Sequence, residues 1–240
     1  MPKIDKTQYS KDEWRKIKEQ RRLEKALKRD PIPFTDHITD NSVATTNVAF
    51  VLGNGTSRAS INVEELKPYG KTYGCNALYR TFAPDYLVAV DVKMVLEIGK
   101  AGYQHRNSVW TNPNRSYANI RNLNFFSPSK GWSSGPTALW LAGQHKHQTI
   151  YILGFDYRGV NDGKQFNNIY ADTVNYKKST DGATFFGNWL RQTASVIKEN
   201  PNINFVRVIA QDNYCPEELN KFSNLTTTTV DDFKKIFNLS

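Results

Sequence analysis

The sequence predicts an α/β fold: a Rossmann-like, mostly parallel, doubly wound sheet, with an N-terminal basic helix ahead of it. Two observations predict it. From residue 47 onward short apolar runs alternate with longer helical stretches, and a strand-helix-strand rhythm implies crossover connections and a parallel sheet covered on both faces. The chain has 240 residues, 39% hydrophobic and 12% aromatic, so it can bury a sizeable core and is not a disordered protein. No internal repeat is visible.

The elements follow in order. "SKDEWRKIKEQRRLEKALKRD" opens on Ser10 with Glu13 three residues on, a capping-box pattern in which each side chain satisfies the other's free backbone N–H. It predicts a helix of roughly five turns ending before Pro31. Residues 11–29 hold nine cations against four acids, a surplus of five in a chain whose net charge is +9. Such a helix can lie on a nucleic-acid backbone. Its other reading is a solvated helix docked through Trp14, Ile17 and Leu27, or packed through Trp14 against a second subunit in a homo-oligomer. Residues 1–30 therefore form a basic extension, residues 31–46 a proline-started linker, and residues 47–240 the Rossmann-like domain.

Within that domain "NVAFVL", "KTYGCN", "DYLVAVD", "SVWTN", "TIYILGFD" and "INFVRVI" read as strands, the last being the final strand. "VEELKPYG", "VKMVLEIGKAG", "SSGPTALWLAGQHK" and "ATFFGNWLRQTASVIKEN" read as helices, the third with Pro136 at an early position. Tyr157 to about Asp181 is an irregular polar loop. In open α/β sheets ligands bind beyond the carboxyl ends of the strands. The residues there are Gly53-Asn54-Gly55, Asn76, Asp91 and Phe155-Asp156-Tyr157, four loops converging on one edge.

The "GNGTSR" turn is expected to use Gly53 and Gly55 for positive φ and for close approach of a ligand to backbone N–H groups, with Asn54 offering an exposed amide. It matches neither the dinucleotide fingerprint nor a P-loop, since Arg58 stands where the third glycine would fall and no lysine follows. The positive charge favours anionic partners. Two cysteines, Cys75 and Cys215, are too few for a disulfide framework, and a reduced, cytoplasmic setting is expected. No signal-like apolar region and no membrane span of about 18 apolar residues is read.

The ordered set "FVLGNGTSR", "YGCNALY", "DYLVAVD" and "SSGPTALWLAGQHKHQTIYILGFDYRG" resembles the bacterial CMP-sialic-acid-dependent sialyltransferases and their relatives over about residues 47–210. Those relatives include the motility-accessory-factor type of glycosyltransferase domain and, more distantly, the archaeal 6-hydroxymethylpterin diphosphokinase. The resemblance implies a CMP-type nucleotide-sugar donor bound by Asn54 and Asn76, with Ser134 and Gly135 at its cytosine or ribose-phosphate region. A helix start at Ser134-Gly135-Pro136 independently favours a phosphate, and a plain N-cap is the other reading of Ser134. The family's leaving-group tyrosines fall by spacing on Arg158 and Lys164, beside Tyr157, and cations can stabilise a leaving phosphate. The family's histidine base has no counterpart here, leaving Asp181 as the nearest carboxylate, with a turn as its other reading.

A glycosyltransferase of this kind requires no cofactor. Two alternatives stand beside it. One is a nucleotide- or nucleic-acid-binding protein without transferase activity. The other is a magnesium-dependent diphosphotransferase in which Asp91, with Asp156, would hold the metal. His145 and His147, two apart, are expected on different sides of a helix end.

Overall fold

The computed structural model describes residues 10, 11, 13, 14, 17, 47–210 and 214–240. Its strands are β1 (Val48–Leu52), β2 (Lys71–Cys75), β3 (Tyr86–Val88), β4 (Val109–Thr111), β5 (Asn124–Phe125), β6 (Thr149–Leu153), β7 (Asn204–Ile209) and β8 (Leu225–Thr229). They form one sheet in the order β5-β4-β3-β2-β1-β6-β7-β8 with every neighbouring pair parallel. The α-helices are α1 (Val92–Ala101), α2 (Ser134–Gln144), α3 (Gly187–Glu199) and α4 (Val230–Ile236).

The central strands are hydrophobic on both sides because both sides are covered. Along β1, Ala49 and Val51 join the core under α2 and α3, which contribute Ala138, Leu139, Leu141, Leu190, Val196 and Ile197. Phe50 and Leu52 alternate to the opposite face, where α1 supplies Met94, Val95 and Ile98 and α4 supplies Phe233. Fully burying one such side chain contributes about 1.5–3 kcal/mol. Helix α1 stops where Gly102 takes φ 67°, the left-handed cap a Cβ disfavours. Helix α2 is apolar nearly all round, buried from Pro136 to Gly143, and tolerates Pro136 because its first turn needs no donor there.

Four sequence expectations change. "INFVRVI" is not the final strand: β8 pairs beyond it, and α4 follows with Thr229 as its cap, its Oγ1 accepting the Asp232 N–H at 3.1 Å. The sheet gains β5 at its other edge, and the parallel arrangement is complete rather than predominant among the described strands. "VEELKPYG" yields a single 3₁₀ turn, Val63–Leu66. Helix α3 begins at Gly187, so Ala183–Phe186 belong to the preceding loop.

The chain divides into two compact units, Met1–Thr35 and Asp36–Ser240. In the first, Lys11, Glu13, Trp14 and Ile17 have helical backbone. Ser10 N–H donates to Glu13 Oε2 at 2.9 Å and Glu13 N–H to Ser10 Oγ at 3.3 Å, the reciprocal cap read from the sequence. The rest of the predicted basic helix, including Leu27, and the linker 31–46 lie outside the described residues. Among the described residues no helix is long and apolar enough to cross a membrane.

Candidate functional site

The strand order reverses between β1 and β6: from β1 the chain builds outward through β2, then returns to β6 on the other side. Beyond the carboxyl ends of these two strands lies the crevice in which open α/β sheets bind ligands. The loops after β1 and β6 are pressed together there. Gly53 N–H donates to Leu153 O at 2.8 Å and Gly55 N–H to Gly154 O at 2.9 Å. A Cβ on Gly53 would lie 2.5 Å from Gly154 O, and one on Gly55 would lie 2.5 Å from the Asp156 carboxyl carbon.

This corrects the expectation for the "GNGTSR" turn. Neither Gly53 nor Gly55 has positive φ; Gly154 does, at 67°. Thr56 N–H donates to Asn167 Oδ1 at 2.8 Å and Ser57 N–H to Asp156 Oδ2 at 3.1 Å. The loop's N–H groups at 53, 55, 56 and 57 are thus taken by protein acceptors. These glycines admit a neighbouring loop rather than a ligand.

Asn54 is likewise not an exposed amide. It is 8% exposed, its Nδ2 donating to Cys75 O at 3.1 Å and Tyr176 Oη at 3.4 Å, its Oδ1 accepting from Arg58 at 3.3 Å. Arg58, buried beneath, also donates to Gly53 O. Asn54 therefore ties the β1 loop to the end of β2 and to the long loop after β6.

A cavity of about 370 Å³ opens at this edge, within the range of small-ligand sites. Of the predicted residues, Gly53, Asn54, Gly55, Asn76, Asp91, Ser134, Gly135, Tyr157 and Arg158 line it. Asn76 (φ 51°) accepts the Ser134 hydroxyl at 2.7 Å, and Ser134 Oγ accepts Val90 N–H at 3.0 Å, so the ends of β2 and β3 and the start of α2 are locked together. The N–H groups of Ser134 and Gly135 have no protein acceptor among the described residues. They point, with the helix dipole, to where an anion is favoured.

Lys164 and Asp181 are not brought to this lining. Asp181 is a turn residue: its Oδ2 accepts Lys178 N–H at 2.9 Å and its carbonyl accepts Phe166 N–H at 2.9 Å. Lys164 gives its carbonyl to Ala183 N–H at 3.0 Å across the same ladder-like pair of segments. Tyr157 lines the cavity with its ring, but its hydroxyl donates to Thr193 Oγ1 at 2.7 Å and the Arg207 guanidinium lies over the ring at 5.2 Å.

The titratable groups divide by environment. The Asp156 carboxylate accepts from Ser57 N–H, the Ser57 hydroxyl and Asn167 Nδ2, the last at 3.0 Å. Asp91 is exposed and, although it is the N-cap of α1, makes no capping bond. Burial pushes the Cys75 thiol up to about 12, which excludes it as a neutral-pH thiolate nucleophile. Burial also raises the phenols of Tyr157 and Tyr176. Tyr176 Oη accepts from Asn54 and from Ala77 N–H at 3.3 Å. Its own proton has no acceptor among the described residues.

Among the described residues no group of three or more His, Cys, Asp or Glu side chains assembles to hold a metal; the carboxylate pair Asp91 and Asp156 lines the cavity. None of His105, His145 and His147 lines the cavity; His37 lies outside the described residues. His145 and His147 do not diverge. Helix α2 ends at Gln144, Lys146 takes φ 56°, and both rings reach the buried Tyr73 hydroxyl, at 2.6 and 2.8 Å.

The sequence reading missed Lys177, Thr184, Phe186 and Trp189 as lining residues. Lys177 had one signal, membership of a long loop without regular structure, a type commonly retained for binding; Thr184, Phe186 and Trp189 fell in the stretch read as a helix, and Trp189 does lie in α3. No family model matches the chain, and no curated protein or solved structure does either.

Proposed function

We propose that this cavity binds a nucleotide-activated sugar, with a CMP-type donor favoured by the motif resemblance, and transfers the glycosyl group to a hydroxyl-bearing acceptor. The observation that carries the reading is the pair of unbonded N–H groups at Ser134 and Gly135, opening α2 at the strand-order reversal, in a cavity also lined by Arg158 and Lys177. A phosphate seated there gains the helix terminus and charge-assisted bonds together. The Tyr176 O–H adds a third donor, and Phe166, Phe186 and Trp189 offer faces for a base or sugar ring. In-line displacement would then run on charge stabilisation of the departing phosphate. Lys177 takes the part that spacing alone gave to Lys164.

The test is calorimetric titration with CMP. Wild type should bind, and Lys177→Gln, which changes an exposed side chain, should weaken binding by about 1.5–3 kcal/mol, the worth of a hydrogen bond to a charged group. No CMP binding, or binding of ATP with magnesium in its place, would overturn the glycosyl-donor reading and favour the diphosphotransferase.

A further inference from the structure

We infer that Asp91 is the general base that takes the proton from the acceptor hydroxyl, an inference that rests on the glycosyl-transfer reading. Two carboxylates line the cavity, Asp91 and Asp156. Both oxygens of Asp156 are engaged by Ser57 and Asn167, so this carboxylate is committed to holding two loops together. Asp181 serves a turn outside the lining. None of the described histidines lines the cavity, and its phenols and thiol stay protonated near neutral pH because burial raises them.

Asp91 differs from all of these. An aspartate at a helix N-cap ordinarily spends its side chain on a backbone N–H of the first turn. Here α1 starts without that bond, while Asp91 O accepts Val95 N–H at 3.0 Å and holds the residue in place. On its other side Val90 N–H is fixed to Ser134 Oγ at 3.0 Å. The carboxylate is thus exposed, without a hydrogen-bond partner among the described residues, and anchored one residue from the group that positions the start of α2, where the donor phosphate is proposed to sit. Its exposure and its place in the lining leave it open to an acceptor that enters the cavity.

The step balances. The acceptor oxygen forms a bond to the anomeric carbon, the bond from that carbon to the phosphate oxygen breaks with its electron pair leaving on the nucleotide, and the hydroxyl proton passes to Asp91. Water in place of the acceptor gives donor hydrolysis by the same route.

The experiment uses the full chain and CMP-activated sialic acid, reading release of CMP, with CMP affinity measured separately. Asp91→Asn and Asp91→Ala should lower kcat by roughly 10²–10⁴-fold, the usual contribution of a positioned base, with CMP affinity and melting temperature unchanged. Added formate should restore part of the rate to Asp91→Ala, whose cavity can admit it, and not to Asp91→Asn. Wild-type kcat in Asp91→Asn would overturn the assignment, as would loss of rate in Asp181→Asn instead. Abolition of wild-type activity by EDTA with rescue by magnesium would also overturn it, making Asp91 a cation ligand. A wild-type chain that binds no CMP defeats the donor reading itself before any variant is made. One that binds CMP but never consumes the donor defeats the base alone.

Discussion

Gly53 shows how one position sets the spacing of the whole site. Its backbone conformation is open to any residue, since its φ is not positive. What excludes a side chain is contact: a Cβ there would meet Gly154 O at 2.5 Å and the Phe155 ring at 2.7 Å. Backbone cannot move aside as the end of a flexible side chain can. Gly53→Ala should therefore cost about 1–3 kcal/mol by overpacking, measured by urea unfolding. A midpoint equal to wild type would show that the two loops part freely. The sequence made glycine's flexibility the obvious reason for "GNG". The structure gives close packing instead, because the partner loop after β6 is a hundred residues away and its approach leaves no local signature.

The stretch of the long loop just ahead of Tyr176 and Lys177 is clasped by an ion pair, Glu97 on α1 with Arg80. Glu97 accepts from Tyr79 Oη at 2.6 Å, from Arg80 Nε at 2.8 Å and from Asn175 Nδ2 at 2.6 Å, while Arg80 also donates to Thr173 Oγ1 and Val174 O, both at 2.8 Å. Burial pushes the Glu97 carboxyl up, but the bonds from Tyr79, Arg80 and Asn175 and the Arg80 charge outweigh it and hold the group below its ordinary value. A carboxyl whose folded value is depressed stabilises the fold above its unfolded value, and that stability is lost as pH falls through the folded one. Acidification below about pH 4, near the unfolded glutamate value, should thus loosen the loop before the sheet. Amide exchange at residues 173–177 should rise there ahead of β1 and β6, and Glu97→Gln should show the same rise at neutral pH. Uniform protection across loop and sheet in the variant would remove the clasp.

At this scale the fold was largely legible and its edges were not. Strands β1, β2 and β6 announce themselves because runs such as "VAFVL" are buried on both faces. Strand β8 reads "LTTTT", polar and half exposed at the sheet edge, and β5 is two residues long. Neither offers a period to find. The strand-end rule brought Asn54, Asn76 and Asp91 to one edge because it depends on topology alone. It could not place Tyr176 and Lys177, which arrive from an aperiodic loop, or Trp189, which sits in the first turn of α3, nor could it tell that Asp91 lines the cavity while Asp181 closes a turn with Lys178.

For the whole molecule the distribution of charge matters more than its sum. The net charge is +9, and residues 11–29 contribute a surplus of five while the remaining residues share the other four. The unit Asp36–Ser240 carries its own core on both faces of the sheet, so a chain lacking residues 1–30 keeps every group of the candidate site. Deleting that segment should leave CMP affinity unchanged while weakening binding to single-stranded DNA, because long-range attraction to a polyanion follows the number and clustering of cations. On a single strand the slope of log K against log salt falls by about 0.7 for each phosphate the protein ceases to neutralise, so the truncated chain should show a shallower salt dependence as well as a lower affinity. Fluorescence anisotropy of both chains across a salt series reads the two quantities together. Coincident curves would assign the basic segment to solvation alone, and parallel curves offset in affinity would mean that it orients the polyanion without touching its phosphates.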